Sequence, residues 1–182
     1  MGLVGIISAD VSLNIPDFRS AERSFQLITQ AAGRAGRGDE EGRVIIQTYS
    51  PDHYAVVRAA AQDFEGFYRE EIRFRKLMMY PPYSDIIRIV FTADSPQKAA
   101  DGAYKWHEQL KKLLGAEDKN LFPPQEAYMS KIRETYRYSL VIKSPKGSRA
   151  RYTALIKKVK EEELKAKPKY KAVVDINPYS FV

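Results

Sequence analysis

Asp85-Ile86-Ile87-Arg88-Ile89-Val90-Phe91-Thr92, followed at once by Ser95-Pro96, decides the fold of the second half of this 182-residue chain. It is rich in β-branched and aromatic residues, which predicts a strand over Asp85–Thr92. Ser95 then caps, and Pro96 opens, a helix running to Leu114, with Ala99, Ala103, Trp106, Leu110 and Leu113-Leu114 at apolar spacing. Working outward, Asn120–Pro124 reads as a turn. Ala127–Ile132 and Tyr136–Lys143 read as strands joined at Arg133-Glu134-Thr135. Arg149–Lys165 reads as a helix with Leu155, Ile156, Val159 and Leu164 inward, and Lys171–Ile176 as a last strand. On the N-terminal side, Pro81-Pro82 ends a preceding helix and begins this unit.

The order βαββαβ over 81–182 predicts a ferredoxin-like α+β domain, with both helices on one face of an antiparallel sheet. Before it, Gln62–Met79 predicts a bridging helix over 62–80, its apolar face carrying Phe64, Phe67, Tyr68, Ile72, Arg75 and Met79. The first region, residues 1–61, reads as α/β: a strand at Leu3–Ser8, a helix at Ala21–Arg34, a strand at Arg43–Thr48 and a helix from Asp52, capped by Ser50 or Asp52. Both strands are continuous apolar runs, which suits burial between helices in a parallel sheet. Two strands do not make a complete domain, so this region reads as the tail end of a larger lobe. The chain as a whole reads as a piece of a longer protein.

Gln30-Ala31-Ala32-Gly33-Arg34-Ala35-Gly36-Arg37 carries the most chemistry. On a helix, Gln30, Gly33, Arg34 and Arg37 fall at i, i+3, i+4 and i+7, on one face. Glycines beside that face let another surface approach the backbone, and two planar guanidiniums can reach one phosphate together. The competing reading is a solvated basic helix end closed by Gly38.

Composition narrows the classes. Hydrophobic residues make up 44% of the chain, an ordinary value for a globular protein. No apolar run approaches a membrane span, and the N-terminus lacks the pattern of a signal peptide. With no cysteine there is neither disulfide nor thiolate metal site, and the two histidines, His53 and His107, make a poor metal site, so no metal ligand is assigned. There is no Gly-x-x-x-x-Gly-Lys-Ser/Thr loop to cradle phosphates and no Asp-Glu pair after an apolar strand; Asp39-Glu40-Glu41 reads as a turn. The net charge of +7 is concentrated: residues 131–171 hold 14 Lys and Arg against four Glu. Such a block is an electrostatic footprint for nucleic acid or an acidic peptide. Lys157, Lys158 and Lys160 face Glu161, Glu162 and Glu163 at pairing distance along a helix and read as a solvated face. Lys143, Lys146, Arg149 and Arg151, with no acid nearby in sequence, are the candidates for a partner surface. Tyr136 and Tyr138 share a strand face: bases could stack there, although core packing is the favoured reading.

Several segments in order carry a family resemblance: Ser8–Arg23 with Asp17-Phe18-Arg19-Ser20-Ala21-Glu22-Arg23, Gln30–Gly38, Gly42-Arg43-Val44-Ile45-Ile46-Gln47-Thr48, Met78-Met79-Tyr80-Pro81-Pro82-Tyr83, and the terminal Val174-Asp175-Ile176-Asn177-Pro178. The first two resemble motifs V and VI of superfamily 2 helicases. The whole order resembles the family of PriA replication-restart helicases, or primosomal protein N′. That resemblance implies a partial RecA-like second helicase lobe followed by a ribosomal-protein-like, ferredoxin-like C-terminal domain. It implies that the intact protein is a bacterial cytoplasmic ATP-dependent 3′→5′ DNA helicase that reloads the replisome at stalled forks. Its partners would be forked and single-stranded DNA, the acidic tail of single-stranded-DNA-binding protein and other primosome proteins.

On the same resemblance, Arg37 is the arginine finger, Arg34 a second γ-phosphate contact, and Gln30 the residue that orients water or phosphate; Gly33 and Gly36 belong to that motif. Asp10 and Asn14 would couple the nucleotide cleft to the DNA track, although Asp10 reads equally well as a helix or loop cap. Arg19, Glu22 and Arg23 suggest an internal ion-pair network. ATP and Mg2+ are expected in the full-length protein and no cofactor in this piece, which should be inactive alone; the family's zinc-binding insert must lie outside this chain. Two other readings stay open: a binding module without catalysis, and a ribosomal-type RNA-binding domain, against which Gln30–Arg37 speaks.

Overall fold

The computed structural model describes residues 2–35, 42–115 and 117–181. The expected finger Arg37, together with Gly36, Gly38 and the Asp39-Glu40-Glu41 turn, lies outside them. The chain divides into two units, Met1–Leu77 and Met78–Val182.

In the first unit, β1 (Leu3–Ile6) pairs in parallel with β2 (Arg43–Ile46), Leu3 opposite Arg43 and Ile6 opposite Ile46. Between them come α1 (Asp10–Leu13), a short turn of helix after the first strand, and α2 (Ser20–Ala35). α3 (Tyr54–Ala60) and α4 (Phe64–Leu77) follow. Phe25 and Ile28 of α2 pack with Ala55, Val56 and Ala59 of α3 and Phe67 of α4, and Ile6 and Ile46 rest against this cluster. Phe25 and Phe67 stack with ring centroids 4.2 Å apart, which locks α4 onto α2.

Three expectations for this unit need correcting. The strands are not buried on both faces: exposed and half-buried residues alternate, and Leu3 and Ile45 are open to solvent. A two-stranded sheet with helices packed on one side leaves its other side uncovered. The helix after β2 begins at Tyr54, and its cap is His53, whose Nδ1 accepts from the Ala55 N–H. In α4, Phe67 and Glu71 are buried while Phe64 and Tyr68 stay exposed. The inward stripe of that helix therefore runs through Phe67, Glu71 and Arg75 at four-residue steps.

The second unit contains β3 (Ser84–Ala93), α5 (Pro96–Leu114), β4 (Gln125–Ile132), β5 (Thr135–Pro145), α6 (Arg149–Lys165) and β6 (Lys171–Ile176). Its four-stranded sheet is antiparallel in the order β4-β5-β3-β6. Both helices cover one face: Ala103, Trp106 and Leu110 of α5 and Tyr152, Ile156 and Val159 of α6 pack on Ile87, Ile89, Phe91, Leu140 and Ile142. Ser95 caps α5 by accepting from the Lys98 N–H, as expected.

Leu164 is not inward but exposed, and Glu163 takes the buried position. The stripe Tyr152, Ile156, Val159, Glu163 follows the helical period, and Glu163 can be buried because it is fully served. It accepts from Tyr170 Oη at 2.6 Å, from Gln109 Nε2 at 2.9 Å and from Lys105 Nζ at 3.1 Å. It therefore does not pair with the lysines of its own helix.

The other sheet face is partly covered too. Asn177 exchanges hydrogen bonds with the backbone of Ile86, donating at 2.7 Å and accepting through Oδ1 at 2.9 Å. The segment after it crosses over Arg88, which donates to the Ser180 carbonyl at 3.3 Å and lies 5.9 Å from the Phe181 ring. Coverage on both sides explains why Ile86 and Ile87, neighbours pointing to opposite faces, are each fully buried.

Candidate functional site

α2 is a two-sided helix. Ala21, Ser24, Phe25 and Ile28 are buried, whereas Gln30, Gly33 and Arg34 are exposed together near its C-terminal end. Space around Gly33 is open: a Cβ there would meet nothing within 4 Å. The described part of the expected phosphate-facing stripe thus points away from the core, as a surface awaiting a ligand or a solvated helix end must. Among the described residues the charged contacts of α2 collect at its start. There Arg23 lies 3.4 Å from Asp17, whose Oδ1 also accepts from the Arg19 N–H at 2.9 Å, and the Arg19 guanidinium sits 4.7 Å from the Phe18 ring.

The expected network among Arg19, Glu22 and Arg23 is therefore recast. Asp17 partners Arg23, and Glu22 instead takes Arg75 of α4 at 2.7 Å. Arg75 Nε also donates to Glu71 at 2.6 Å, and the second Glu71 oxygen accepts from Tyr54 Oη at 2.6 Å. Burial opposes the charge on Arg75, but Glu71 and Glu22 outweigh it and raise its pKa. Burial and the hydrogen bond to Glu71 push the Tyr54 hydroxyl well above the ordinary tyrosine value. Sequence reasoning missed this chain of contacts. The four-residue spacing of Glu71 and Arg75 could have signalled a helical pair, but nothing local points to Glu22, 53 positions away from Arg75, as its further partner.

Asp10 opens α1 and is buried, with both oxygens occupied. Oδ1 accepts from Thr48 Oγ1 at 2.8 Å and Oδ2 from the Tyr49 N–H at 2.9 Å. The Tyr49 N–H chiefly holds its carboxyl below the usual aspartate range. Asp10 thus pins the loop after β1 to the exit of β2. Asn14 sits at the C-terminal end of α1, its N–H bonded to the Asp10 carbonyl at 2.9 Å.

In the second unit the four basic candidates separate. Lys143 is engaged internally: its Nζ donates to the Met78 carbonyl at 2.8 Å and lies 3.8 Å from the Tyr80 ring centroid and 5.1 Å from that of Phe122. Burial lowers its pKa. Arg149 is exposed but has an acid within reach, Asp85 at 3.8 Å. Arg151 donates to the Leu114 carbonyl at 3.4 Å and remains exposed. Lys146 is exposed in the turn before α6, next to Gly147, whose φ of +87° suits glycine. Lys146, Arg149 and Arg151 therefore share the entry to α6, and Lys143 does not belong with them.

Tyr136 and Tyr138 are half-buried; Tyr138 packs against the main core, and burial raises its pKa. The Lys131 ammonium stands 5.1 Å from the Tyr136 ring. Packing against the core engages Tyr138, in keeping with the favoured core reading of that residue. Among the described residues no group of three or more His, Cys, Asp or Glu is disposed to hold a metal ion, and no helix is long and apolar enough to cross a membrane.

Comparison with known proteins adds to this geometry. Residues 76–179 match the model of the primosomal protein N C-terminal domain. Over 97% of its length the chain is 41% identical to the replication restart protein PriA of Bacillus subtilis, covering 22% of that protein. The corresponding figures for replication restart protein PriA of Borreliella burgdorferi are 37% identity over 97% of the chain and 26% of the relative. For Treponema pallidum PriA they are 43% over 79% and 22%. The chain thus spans about a quarter or less of the curated relatives it matches. With more than half its residues matching that domain, the chain belongs to the family of the primosomal protein N C-terminal domain, the family of the replication restart proteins PriA.

Proposed function

We propose that this chain forms the C-terminal part of an ATP-dependent 3′→5′ DNA helicase that recognises stalled forks and supports reloading of the replisome. The first unit is then the tail of a RecA-like second lobe, with β1, α2 and β2 as one of its parallel crossovers. The second is a ferredoxin-like domain, a reading supported by the element order βαββαβ and the strand order β4-β5-β3-β6. The observation that carries the catalytic part is the two-sided α2, whose outward face presents Gln30, Gly33 and Arg34 together. In this reading Arg34 contacts the γ-phosphate of ATP bound with Mg2+ by another part of the protein. Gln30 orients the attacking water, and Arg37 stabilises the charge that develops in the transition state. Asp10 couples this site to the DNA track through the turn at Thr48 and Tyr49.

Lys146, Arg149 and Arg151, at the entry of α6, contact fork phosphates, or else the acidic tail of single-stranded-DNA-binding protein. The test of the catalytic part is DNA-stimulated ATP hydrolysis by the full-length protein carrying Arg34→Ala or Gln30→Ala. At least a tenfold loss of turnover with fork binding retained supports the reading, and turnover within about twofold of wild type rejects it.

A further inference from the structure

α4 lies outside every motif singled out in the sequence, yet it grips the start of α2. Arg75 donates to Glu22 at 2.7 Å and to Glu71 at 2.6 Å, and its guanidinium lies 5.4 Å from the Phe18 ring. The side chain is only 15% exposed. One cation therefore joins the loop entering α2, the first turn of α2, and, through Glu71 and Tyr54, the start of α3. Glu22, Gln26, Gln30 and Arg34 follow one another at four-residue steps along α2. Gln26 donates to Glu22 at 3.5 Å. Gln26 and Gln30 line a groove of about 330 Å³ that Arg75, Glu71, Phe67 and Tyr68 close from the α4 side.

We propose that Arg75 is a positioning residue for the phosphate-facing end of α2, an inference that rests on the functional reading above. A helix moves as a rod. Glu22 and Arg34 are 12 residues apart, about 18 Å along the axis, so a small tilt or rotation released at the first turn becomes a displacement of ångström size at Gln30 and Arg34. Misplacement of about 1 Å is enough to cost catalysis on the order of a hundredfold. The planar fork of Arg75 meets two carboxylates in fixed directions and lies near an aromatic ring, and an ammonium at that position supplies neither the fork nor the plane.

A purely structural role predicts something different, and the test separates the two. In the full-length protein, DNA-stimulated ATP hydrolysis is measured for Arg75→Gln, Arg75→Lys and Tyr54→Phe beside thermal unfolding of each. Tyr54→Phe removes a hydrogen bond to Glu71 but leaves the Arg75–Glu22 contact. Positioning predicts that Arg75→Gln lowers kcat at least tenfold, with KM for ATP changed less than about threefold, at temperatures where the variant is fully folded. Arg75→Lys recovers stability more than kcat, and Tyr54→Phe loses stability with kcat within about twofold of wild type. The inference is overturned if Arg75→Gln hydrolyses ATP like wild type while folded, or if Tyr54→Phe loses as much kcat as Arg75→Gln. Absence of ATP hydrolysis in the wild-type protein overturns the functional reading itself and this inference with it, a result distinguishable from a defect confined to Arg75.

Discussion

The ammonium of Lys143 rests 3.8 Å above the ring of Tyr80. A lysine that reads as a free surface cation in the sequence is thereby committed to holding the segment that leads into β3. Its hydrogen bond to the Met78 carbonyl and the bond from Ser84 Oγ to the Met79 carbonyl fasten that segment at successive residues. Lys143→Ala is expected to destabilise the second unit by about 1–2 kcal/mol, the combined worth of a partly desolvated cation–π contact and a charged hydrogen bond. Denaturant unfolding of the chain checks this. The same substitution should leave fork affinity at moderate salt within about twofold, whereas Lys146→Ala with Arg149→Ala and Arg151→Ala should weaken it and flatten its salt dependence.

Glu163 gives the second unit an acid-sensitive joint. Burial alone would raise its pKa, but donation from Tyr170, Lys105 and Gln109 outweighs that and holds it below the ordinary glutamate value. A carboxyl depressed in the folded state adds stability above its unfolded pKa of about 4.3 and loses it as the pH falls through the folded value. Stability at neutral pH should therefore decline on acidification below about pH 5. Glu163→Gln should be less stable than wild type at pH 7, with the gap closing toward pH 3 in parallel denaturation curves. A gap that stays constant with pH would refute the assignment.

Gly102 is the close-approach point of the same cluster. A Cβ there would lie 2.7 Å from the Tyr170 ring, and that ring is held by Glu163 and by Trp106 Nε1, which donates to its hydroxyl at 3.2 Å. Helix propensity favours alanine over glycine by about 1 kcal/mol, yet overpacking against a fixed ring costs about 1–3 kcal/mol. Gly102→Ala should therefore lower the melting temperature. Gly33→Ala, facing open space on a helix, should raise it or leave it unchanged.

The closing segment of the chain is predicted to act as a strap. Asn177 binds both backbone groups of Ile86 and, through Nδ2, Asp85 Oδ1 at 2.8 Å, and the residues after it contact Arg88. Asn177→Ala should leave the buried Ile86 N–H without its side-chain acceptor, at a cost of about 1–3 kcal/mol, while the backbone bond to the Ile86 carbonyl stays. It should also raise hydrogen exchange at Ile86. Unchanged exchange there would show that the strap does not depend on Asn177.

Much of the fold was legible because local chemistry and tertiary need agreed. The Ser95-Pro96 start of α5, the β-branched and aromatic run of β3 and the Arg133-Glu134-Thr135 hairpin each carry their own signal, and each sits where the sequence places it. What was illegible depended on partners remote in sequence. Leu164 looks more suited to a core than Glu163, and only Tyr170, Lys105 and Gln109 make the reverse arrangement affordable. Ser50 and Asp52 are better caps by type than His53, but Ser50 donates its N–H to Thr48 Oγ1 in a turn anchored by Asp10. In the candidate site, the shared exposed face of Gln30 and Arg34 was legible from helical spacing. The Arg75–Glu22 contact was not, because it depends on α4 folding back onto α2. Of the four basic candidates three stand exposed at the entry to α6, and the engagement of Lys143 was not legible because its aromatic partner Tyr80 lies 63 positions upstream.

The most direct test of the central claim is strand separation on a synthetic fork by the full-length protein, comparing wild type with Arg37→Ala. The account predicts ATP-dependent unwinding with 3′→5′ polarity by wild type. It predicts fork binding within about threefold of wild type for the variant, with turnover and unwinding reduced on the order of a thousandfold. Unwinding by Arg37→Ala at a rate near wild type, or no ATP-dependent unwinding by wild type, would contradict it.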